Sequence, residues 1–368
     1  MNKLVFEWSD DEGNRSDDEG NSSVNSEDVL EGLQPHPDIR SLTIEGYGGE
    51  NFSSWILQLN NLTVLRLKGC SKLRQLPTLG CLPRLKILEM SEMPNVKCIG
   101  NEFYSSRDSA GVLFPALQIL TLYRMDGLEE WMVPGGEVFP CLEELSIEYC
   151  RKLKSIKICD ELRYLSGEFH GFTSLRVLSI WSCPKLASIP SVQHCTALVE
   201  LSIYWCGELI SIPGDFRDLN SLKKLKVDGC KLGALPSGLQ CCASLEELSI
   251  IDWSELIHIS DFQELSSLRS LYIRGCDKLI RIDWHGLRQL RSLVYLEITA
   301  CPSLSDIPED DWLGGLTQLQ ELTIVGNKKW WSLRGDGGLM TIVGVLYKLN
   351  PTPQLEWVPQ IPKDMGMG

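Results

Sequence analysis

The sequence predicts an α/β-type solenoid, and three observations carry that expectation. An apolar triplet at offsets 0, +3 and +5, written L-x-x-L-x-I, recurs twelve times between Ile39 and Leu322. The phrases open at Ile39, Leu62, Leu85, Leu117, Leu142, Leu175, Leu198, Leu222, Leu245, Leu268, Leu293 and Leu319, mostly 23–25 residues apart. The +3 residue is leucine every time, and Ile, Leu, Val or Met follows two residues later. A chain of 368 residues exceeds most single domains, but a stack of repeats grows by addition and escapes that limit.

Offsets +3 and +5 lie two apart, so in an extended strand their side chains share one face while +2, +4 and +6 point to the other. One short strand cannot shelter its apolar face by itself. Stacking coil on coil pairs the strands into a parallel sheet and merges the buried faces into one core, and the rest of each coil covers that sheet from within. The period is that of leucine-rich repeats. The expected architecture is therefore a leucine-rich-repeat horseshoe with a parallel β-sheet on its concave face and an irregular, mostly non-helical convex side. The second half of most coils adds apolar residues at +11 and +14, as in Leu73 with Leu76, Leu153 with Ile156, Leu186 with Ile189 and Leu279 with Ile282. At roughly 1.5–3 kcal/mol per buried aliphatic side chain, these five positions dominate the stability of a coil. Proline at +15, in Pro77, Pro190, Pro213 and Pro308, turns the chain because it cannot donate to a ladder.

Cysteine usage speaks to compartment. Seven of fourteen cysteines stand at +8: Cys70, Cys150, Cys183, Cys206, Cys230, Cys276 and Cys301. Tyr47, Met93, Met125, Trp253 and Asn327 hold that place elsewhere. Thiols in an apolar site suit a compartment that keeps them reduced, so the expectation is a cytoplasmic or nuclear protein. A ladder presents one sulfur per coil along a line, and no C-x-x-C occurs, so neither a metal site nor a disulfide framework is expected.

Three segments are expected: residues 1–37, a partial repeat with an acidic flexible insertion; 38–327, about twelve repeats with one truncated extra near 157–165; and 328–368, a divergent tail. Leu4, Phe6 and Trp8 read as the strand of an earlier coil. The insertion repeats "SDDEGN" at Ser9–Asn14 and Ser16–Asn21, and ten acidic residues through Glu31 face two basic ones, more than half of the formal net charge of −14. The ligand positions of a calcium loop are not matched there. The wide gap after Leu85 places small, polar residues around Tyr104 to Gly111 in a surface loop. The wide gap after Leu142 holds a second tail, Cys159, Leu162 and Leu165, with no strand phrase before it, which predicts a local kink. Beyond Asn327 the pattern stops, and the tail is either an irregular cap or an end without native packing. No apolar run reaches 18 residues, the length that argues for a membrane span.

No catalytic, nucleotide or metal motif is present: there is no P-loop, H-E-x-x-H or G-x-S-x-G. The five histidines fall at unrelated offsets, and the acidic balance disfavours nucleic acid. The expectation is a non-enzyme without cofactor or metal.

The segments "VLEGLQPHPDIRSLTIEGYGG" (Val29–Gly49), "NLTVLRLKGCSKLRQLPTLGCLPRLKILEMSEMPNVKCIGNEFY" (Asn61–Tyr104) and "FPALQILTLYRMDGLEEW" (Phe114–Trp131) resemble the leucine-rich-repeat region of plant nucleotide-binding disease-resistance proteins of the coiled-coil class. The likeness runs from about Leu4 to Asn327 and departs at Ser53, where the family usually has proline. The resemblance implies a protein-recognition module that senses a pathogen effector or a guarded host protein and docks on a nucleotide-binding switch to hold it inactive. In the family a coiled coil and that switch precede the repeats; neither precedes them here, so a truncated form is expected. A general cytosolic scaffold or substrate receptor, or a regulator of an enzyme, are the alternative classes.

Strand geometry names the contact surface. The +6 column on the concave face includes Lys68, Tyr123, Glu148, Trp181, Tyr204, Asp228 and Arg274; Arg66 and Tyr272 stand at +4, and Glu144, Glu200 and Tyr295 at +2. Tyr123, Trp181, Tyr204 and Tyr272 are the expected exposed anchors, because aromatics and arginine dominate interface energetics.

Overall fold

The computed structural model describes residues 2–8, 25–104, 111–159, 172–260, 262, 264–305, 313–325 and, for the backbone, 341–345. Each of the twelve triplets forms a five-residue strand from offset +2 to offset +6. The reason is the alternation: the +3 and +5 side chains point inward, as Leu42 and Ile44 do at 0% exposure, and the residues between them face out.

Two compact units divide the chain: Met1–Leu198 with Cys206–Glu208, and Val199–Trp205 with Leu209–Gly368. The first holds β1 (Lys3–Glu7), β2 (Ser41–Glu45), β3 (Val64–Lys68), β4 (Ile87–Ser91), β5 (Cys98–Ile99), β6 (Ile119–Tyr123), β7 (Glu130–Pro134), β8 (Glu144–Glu148), β9 (Ser155–Cys159) and β10 (Val177–Trp181). Its main sheet runs β1-β2-β3-β4-β6-β8-β10, parallel throughout, and each +3 leucine pairs with the next. Leu4 pairs with Leu42 and Phe6 with Ile44, which makes β1 the strand of an earlier coil. Across the long insertion β8 still pairs with β10 in register, Leu145 opposite Leu178; Leu162 and Leu165 of the second tail lie outside the described residues.

The second unit holds β11 (Glu200–Tyr204), β12 (Lys224–Asp228), β13 (Glu247–Ile251), β14 (His258–Ile259), β15 (Ser270–Arg274), β16 (Arg281–Ile282), β17 (Tyr295–Thr299), β18 (Glu321–Val325) and β19 (Thr341–Val345). Its main sheet, β11-β12-β13-β15-β17-β18, is parallel, and β19 joins β18 antiparallel.

The reverse side has more order than the sequence implies. There β5, β7 and β9 form one small parallel sheet and β14 with β16 another, and Ile99, Trp131, Ile156, Ile259 and Ile282 all sit at +14. The coils that pair this way lack proline at +15; those of Pro77 and Pro213 form no such strand, and that of Pro190 meets β9 only through the single bridge of Ser188 with Ser155, because proline has no N–H to give.

Two regions expected to be loose are packed. Helix α1 (Ser26–Gly32) starts at Asn25, whose side chain accepts from the Glu27 amide, and buries Leu30 completely. The Leu30 carbonyl accepts from the Trp55 indole at 2.9 Å. Tyr104, assigned above to a polar surface loop, ends the short helix α2 (Asn101–Tyr104) at 1% exposure. Its hydroxyl accepts from the Trp131 indole at 2.7 Å. The Ser9–Asn21 duplication and the tail from Asn327, apart from the backbone of β19, lie outside the described residues.

An unpredicted apolar column supports the coils at offset −3, where Leu59, Leu82, Phe114, Phe139, Phe172, Cys195, Leu219, Cys242, Leu265, Leu290 and Leu316 are all buried. Phe139 stacks between Phe114 and Phe172 with ring centroids 5.0 and 6.0 Å away.

Candidate functional site

The outward residues of the main sheets are the surface to be accounted for, and the core beneath determines how rigidly they are held. Immediately after eleven of the twelve triplet strands, offset +7 is left-handed. Gly46, Gly69, Gly229 and Gly275 stand there, but so do Glu92, Arg124, Tyr149, Ser182, Trp205, Asp252 and Ala300, with φ between 50° and 58°. The conformation aims the +7 amide at the +6 carbonyl of the following coil: Gly46 to Lys68 at 2.9 Å, Tyr149 to Trp181 at 2.8 Å, Asp252 to Arg274 at 2.8 Å. Within each unit most strand ends are thereby tied to their neighbours.

Offset +8 ties the coils on the inside. The Cys150, Cys183 and Cys276 thiols stand 3.6, 3.5 and 3.6 Å from the +6 carbonyls of their own coils and also approach the +5 carbonyls of the preceding coils, Leu122, Ile147 and Ile250, at 4.0, 4.0 and 3.9 Å. The Trp253 indole donates to the +5 carbonyl of Val227 at 2.9 Å. All described cysteines are free thiols. Burial pushes the Cys70, Cys195 and Cys242 thiols up to about 12. Contact with Cys183 together with burial raises Cys206 as well.

In the first unit the outward face carries Arg66, Lys68, Tyr123, Glu144, Glu148 and Trp181. Arg66 grips Glu89 of the next strand with two hydrogen bonds, 2.6 and 3.1 Å. Lys68 reaches back to Glu45 at 2.6 Å; that partner raises its pKa. Glu144 is exposed, and Glu148 accepts from Ser146 at 2.7 Å. Tyr123 packs edge-on against Tyr149 at 5.6 Å.

In the second unit the face carries Glu200, Tyr204, Asp228, Tyr272, Arg274 and Tyr295. Glu200 accepts from Ser202 at 3.0 Å and lies 3.9 Å from Lys224; Lys226 pairs with Glu247 at 3.2 Å. Burial and the charge of Asp252 raise the Asp228 carboxyl, against the pull of Arg274, and Asp228 Oδ1 has no hydrogen-bond partner. The rings of Tyr272 and Tyr295 lie 4.8 Å apart. The Tyr295 hydroxyl donates to Glu297 at 3.1 Å, and Thr299 donates to the same carboxylate at 3.0 Å. Burial pushes Tyr295 up to about 12, with Glu297 and Glu321 adding to it.

All twelve candidate contact residues thus stand on outward strand positions, six in each unit. One expectation needs correcting: Tyr123, Trp181, Tyr204 and Tyr272 are half-buried rather than exposed. Neighbouring strands about 4.8 Å apart shade one another's side chains. The exposed aromatic is Trp205, 51% accessible, which the left-handed turn at +7 swings off the sheet. Its signal was legible as a large side chain where glycine also serves. A second unforeseen feature lies at +12 in the second unit, where Ile210, Ile257 and Ile280 are 65%, 50% and 44% exposed; the first unit has Arg74, Lys97, Glu129 and Lys154 there. On the reverse side Asp215, Arg217, Gly238 and His258 line a cavity of about 380 Å³, but Asp215 is committed to Arg217 at 3.1 Å. Among the described residues no cluster of His, Cys, Asp and Glu is arranged to hold a metal, and no helix is long and apolar enough to cross a membrane.

Comparison with known proteins adds to this. A family model described as R13L1/DRL21 LRRs matches residues 1–93. A putative disease resistance protein of Arabidopsis thaliana is 33% identical over 188 residues, covering 46% of this chain and 13% of that protein. The putative disease resistance RPP13-like protein 1 of the same plant is 29% identical over 238 residues, 55% of this chain and 23% of its own. The putative disease resistance protein RGA4 of Solanum bulbocastanum is 33% identical over 197 residues, 52% of this chain and 19% of its own. The chain spans less than a quarter of the length of these relatives. Among solved structures, an internalin of Listeria monocytogenes aligns over 82% of this chain and 89% of its own, with 16% identity and a TM-score of 0.37. The leucine-rich-repeat domain of the type III effector XopL aligns over 77% and 75%, with 20% identity and a TM-score of 0.39.

Proposed function

We propose that this leucine-rich-repeat array, being similar to the repeat regions of plant disease-resistance proteins, is the protein-recognition module of an intracellular immune receptor. Its partner is a pathogen effector or a host protein that an effector modifies. In a longer receptor the same array restrains a nucleotide-binding switch. Free, buried thiols at every cysteine-bearing +8 position support a cytoplasmic or nuclear setting.

The observation that carries the reading is the in-register array of outward side chains. Five-residue strands pair residue for residue from coil to coil, so each unit offers fixed columns of charged and aromatic groups on a rigid base. Side chains held by the fold lose little entropy on binding, which favours recognition by a preformed surface. Arg66, Lys68, Tyr123, Glu144, Glu148, Trp181, Glu200, Tyr204, Asp228, Tyr272, Arg274 and Tyr295 are the proposed contact residues.

Split-luciferase complementation in leaf cells, pairing this chain with a panel of pathogen effectors, their host targets and nucleotide-binding modules of related receptors, tests it. At least one pair gives signal, and alanine at Tyr123 with Trp181, or at Tyr204 with Tyr272, reduces that signal at least tenfold at equal protein level. Signal indifferent to both double variants, or no signal across the panel, removes the reading.

A further inference from the structure

The outward face of the second unit contains a group of residues whose chemistry points to one kind of contact. Four consecutive strands, β13, β15, β17 and β18, bring Glu247, Ser270, Tyr295 and Glu321 into one column and Ser249, Tyr272, Glu297 and Thr323 into the next. The tilted rings of Tyr272 and Tyr295 meet across the strand boundary at 4.8 Å, with carboxylates on either side. Glu247 already has a cation, Lys226 at 3.2 Å. Among the described residues Glu297 receives only neutral donors, the hydroxyls of Tyr295 and Thr299. Glu321 is exposed, and among the described residues neither it nor Glu297 forms an ion pair. Arg274 stands one column away, where its charge acts on Asp228.

Two adjoining aromatic rings with two carboxylates lacking a cation are complementary to a flat cation. A guanidinium stacks on an aromatic face and presents a planar fork of donors that a carboxylate accepts in pairs, whereas an ammonium offers a compact, strongly hydrated point charge. We infer that Tyr272 and Tyr295, with Glu297 and Glu321, form a receiving site for an arginine side chain of the partner protein. The inference rests on the recognition role proposed above and specifies the chemistry of one contact in it. The raised hydroxyl pKa of Tyr295, to which Glu297 and Glu321 both contribute, is in keeping with an uncompensated negative field there.

The full chain, carrying 13C-labelled tyrosine, is titrated with the blocked tripeptide acetyl-Gly-Arg-Gly-amide, with its lysine counterpart and with its uncharged, nearly isosteric citrulline counterpart. The arginine peptide shifts the ring signals of Tyr272 and Tyr295 saturably, the lysine peptide binds several-fold more weakly, and the citrulline peptide leaves the signals in place. E297Q with E321Q keeps the shape of the face and weakens arginine binding at least tenfold, with thermal unfolding unchanged. Tyr295→Phe keeps the ring and still binds, which guards against reading a folding defect as lost recognition. Equal binding of the citrulline or lysine peptide, no saturable shift, or affinity untouched by the glutamine pair overturns the inference. Leaf-cell signal that survives such a result leaves the recognition role standing without the arginine contact.

Discussion

The indole nitrogen of Trp253 donates to the carbonyl oxygen of Val227 at 2.9 Å, with the ring wholly enclosed. The bond takes the place that cysteine thiols occupy at 3.9–4.0 Å in other coils, and its length is that of a full-strength hydrogen bond. Trp253→Phe removes the second donor from a carbonyl that the β12–β13 ladder also uses, and leaves a smaller ring in the space. The expected cost is about 1–3 kcal/mol, whereas Cys276→Ala, which removes a weaker donor, costs less. Urea unfolding of the two variants checks the order, and reversed costs would show that packing rather than the hydrogen bond matters at +8.

The left-handed turn at +7 makes the sign of a substitution depend on which residue is already there. At Gly275 a Cβ would collide with the Asp252 carboxylate on a backbone at φ 67°, so Gly275→Ala loses about 1–3 kcal/mol. Ala300 is strained at φ 50°, and Ala300→Gly gains up to about 1 kcal/mol. Thermal unfolding of the pair should move in opposite directions; shifts of the same sign refute the argument.

Buried thiols of the +8 and −3 columns make stability sensitive to alkali. Burial pushes the Cys70, Cys195 and Cys242 thiols from the ordinary 9.0 up to about 12 in the folded chain. Between those values the unfolded chain has lost a proton that the folded chain keeps. Stability is therefore flat below about pH 9 and falls above it by about 1.4 kcal/mol per pH unit for each such thiol. Replacing Cys70 with alanine should reduce the slope of the urea midpoint between pH 9 and 11; an unchanged slope contradicts it.

Exposure separates the thiols chemically. Cys81 and Cys141 are exposed, and the ladder cysteines are buried. At pH 8 iodoacetamide should label those two in the native protein and reach Cys150, Cys183, Cys206 and Cys276 only in denaturant. Native labelling at Cys183 at a rate like that of Cys81 would show that the coils open locally.

Much of the fold was legible because its cause is local. Leucine at +3 and a second aliphatic at +5 fix which way a strand faces, and all twelve strands occur where that alternation puts them. Even the incomplete coil at Leu4 and Phe6 pairs as expected. The phenylalanines at −3 fall outside a phrase that opens at 0, and the burial of Tyr104 is hidden because its neighbours in sequence are polar while its neighbours in space, Trp131 and Phe114, are distant in the chain. The paired strands on the reverse side depend on a +15 N–H given to the adjoining coil, which proline lacks, and a single repeat read by itself does not reveal that pairing.

The candidate site divides along the same line. Which residues face outward follows from period two and was determined by the sequence. Which of them remain available was decided between coils: Arg66 is engaged by Glu89 and Lys68 by Glu45, each 23 residues away, whereas among the described residues Glu297 meets only hydroxyls. Sequence specified the strand because alternation acts over a few neighbouring residues. Only the tertiary stack decided the chemistry of the surface, because a side chain's charge partner and its shading come from the next turn of the chain, across a gap of about 4.8 Å that no one-dimensional spacing records.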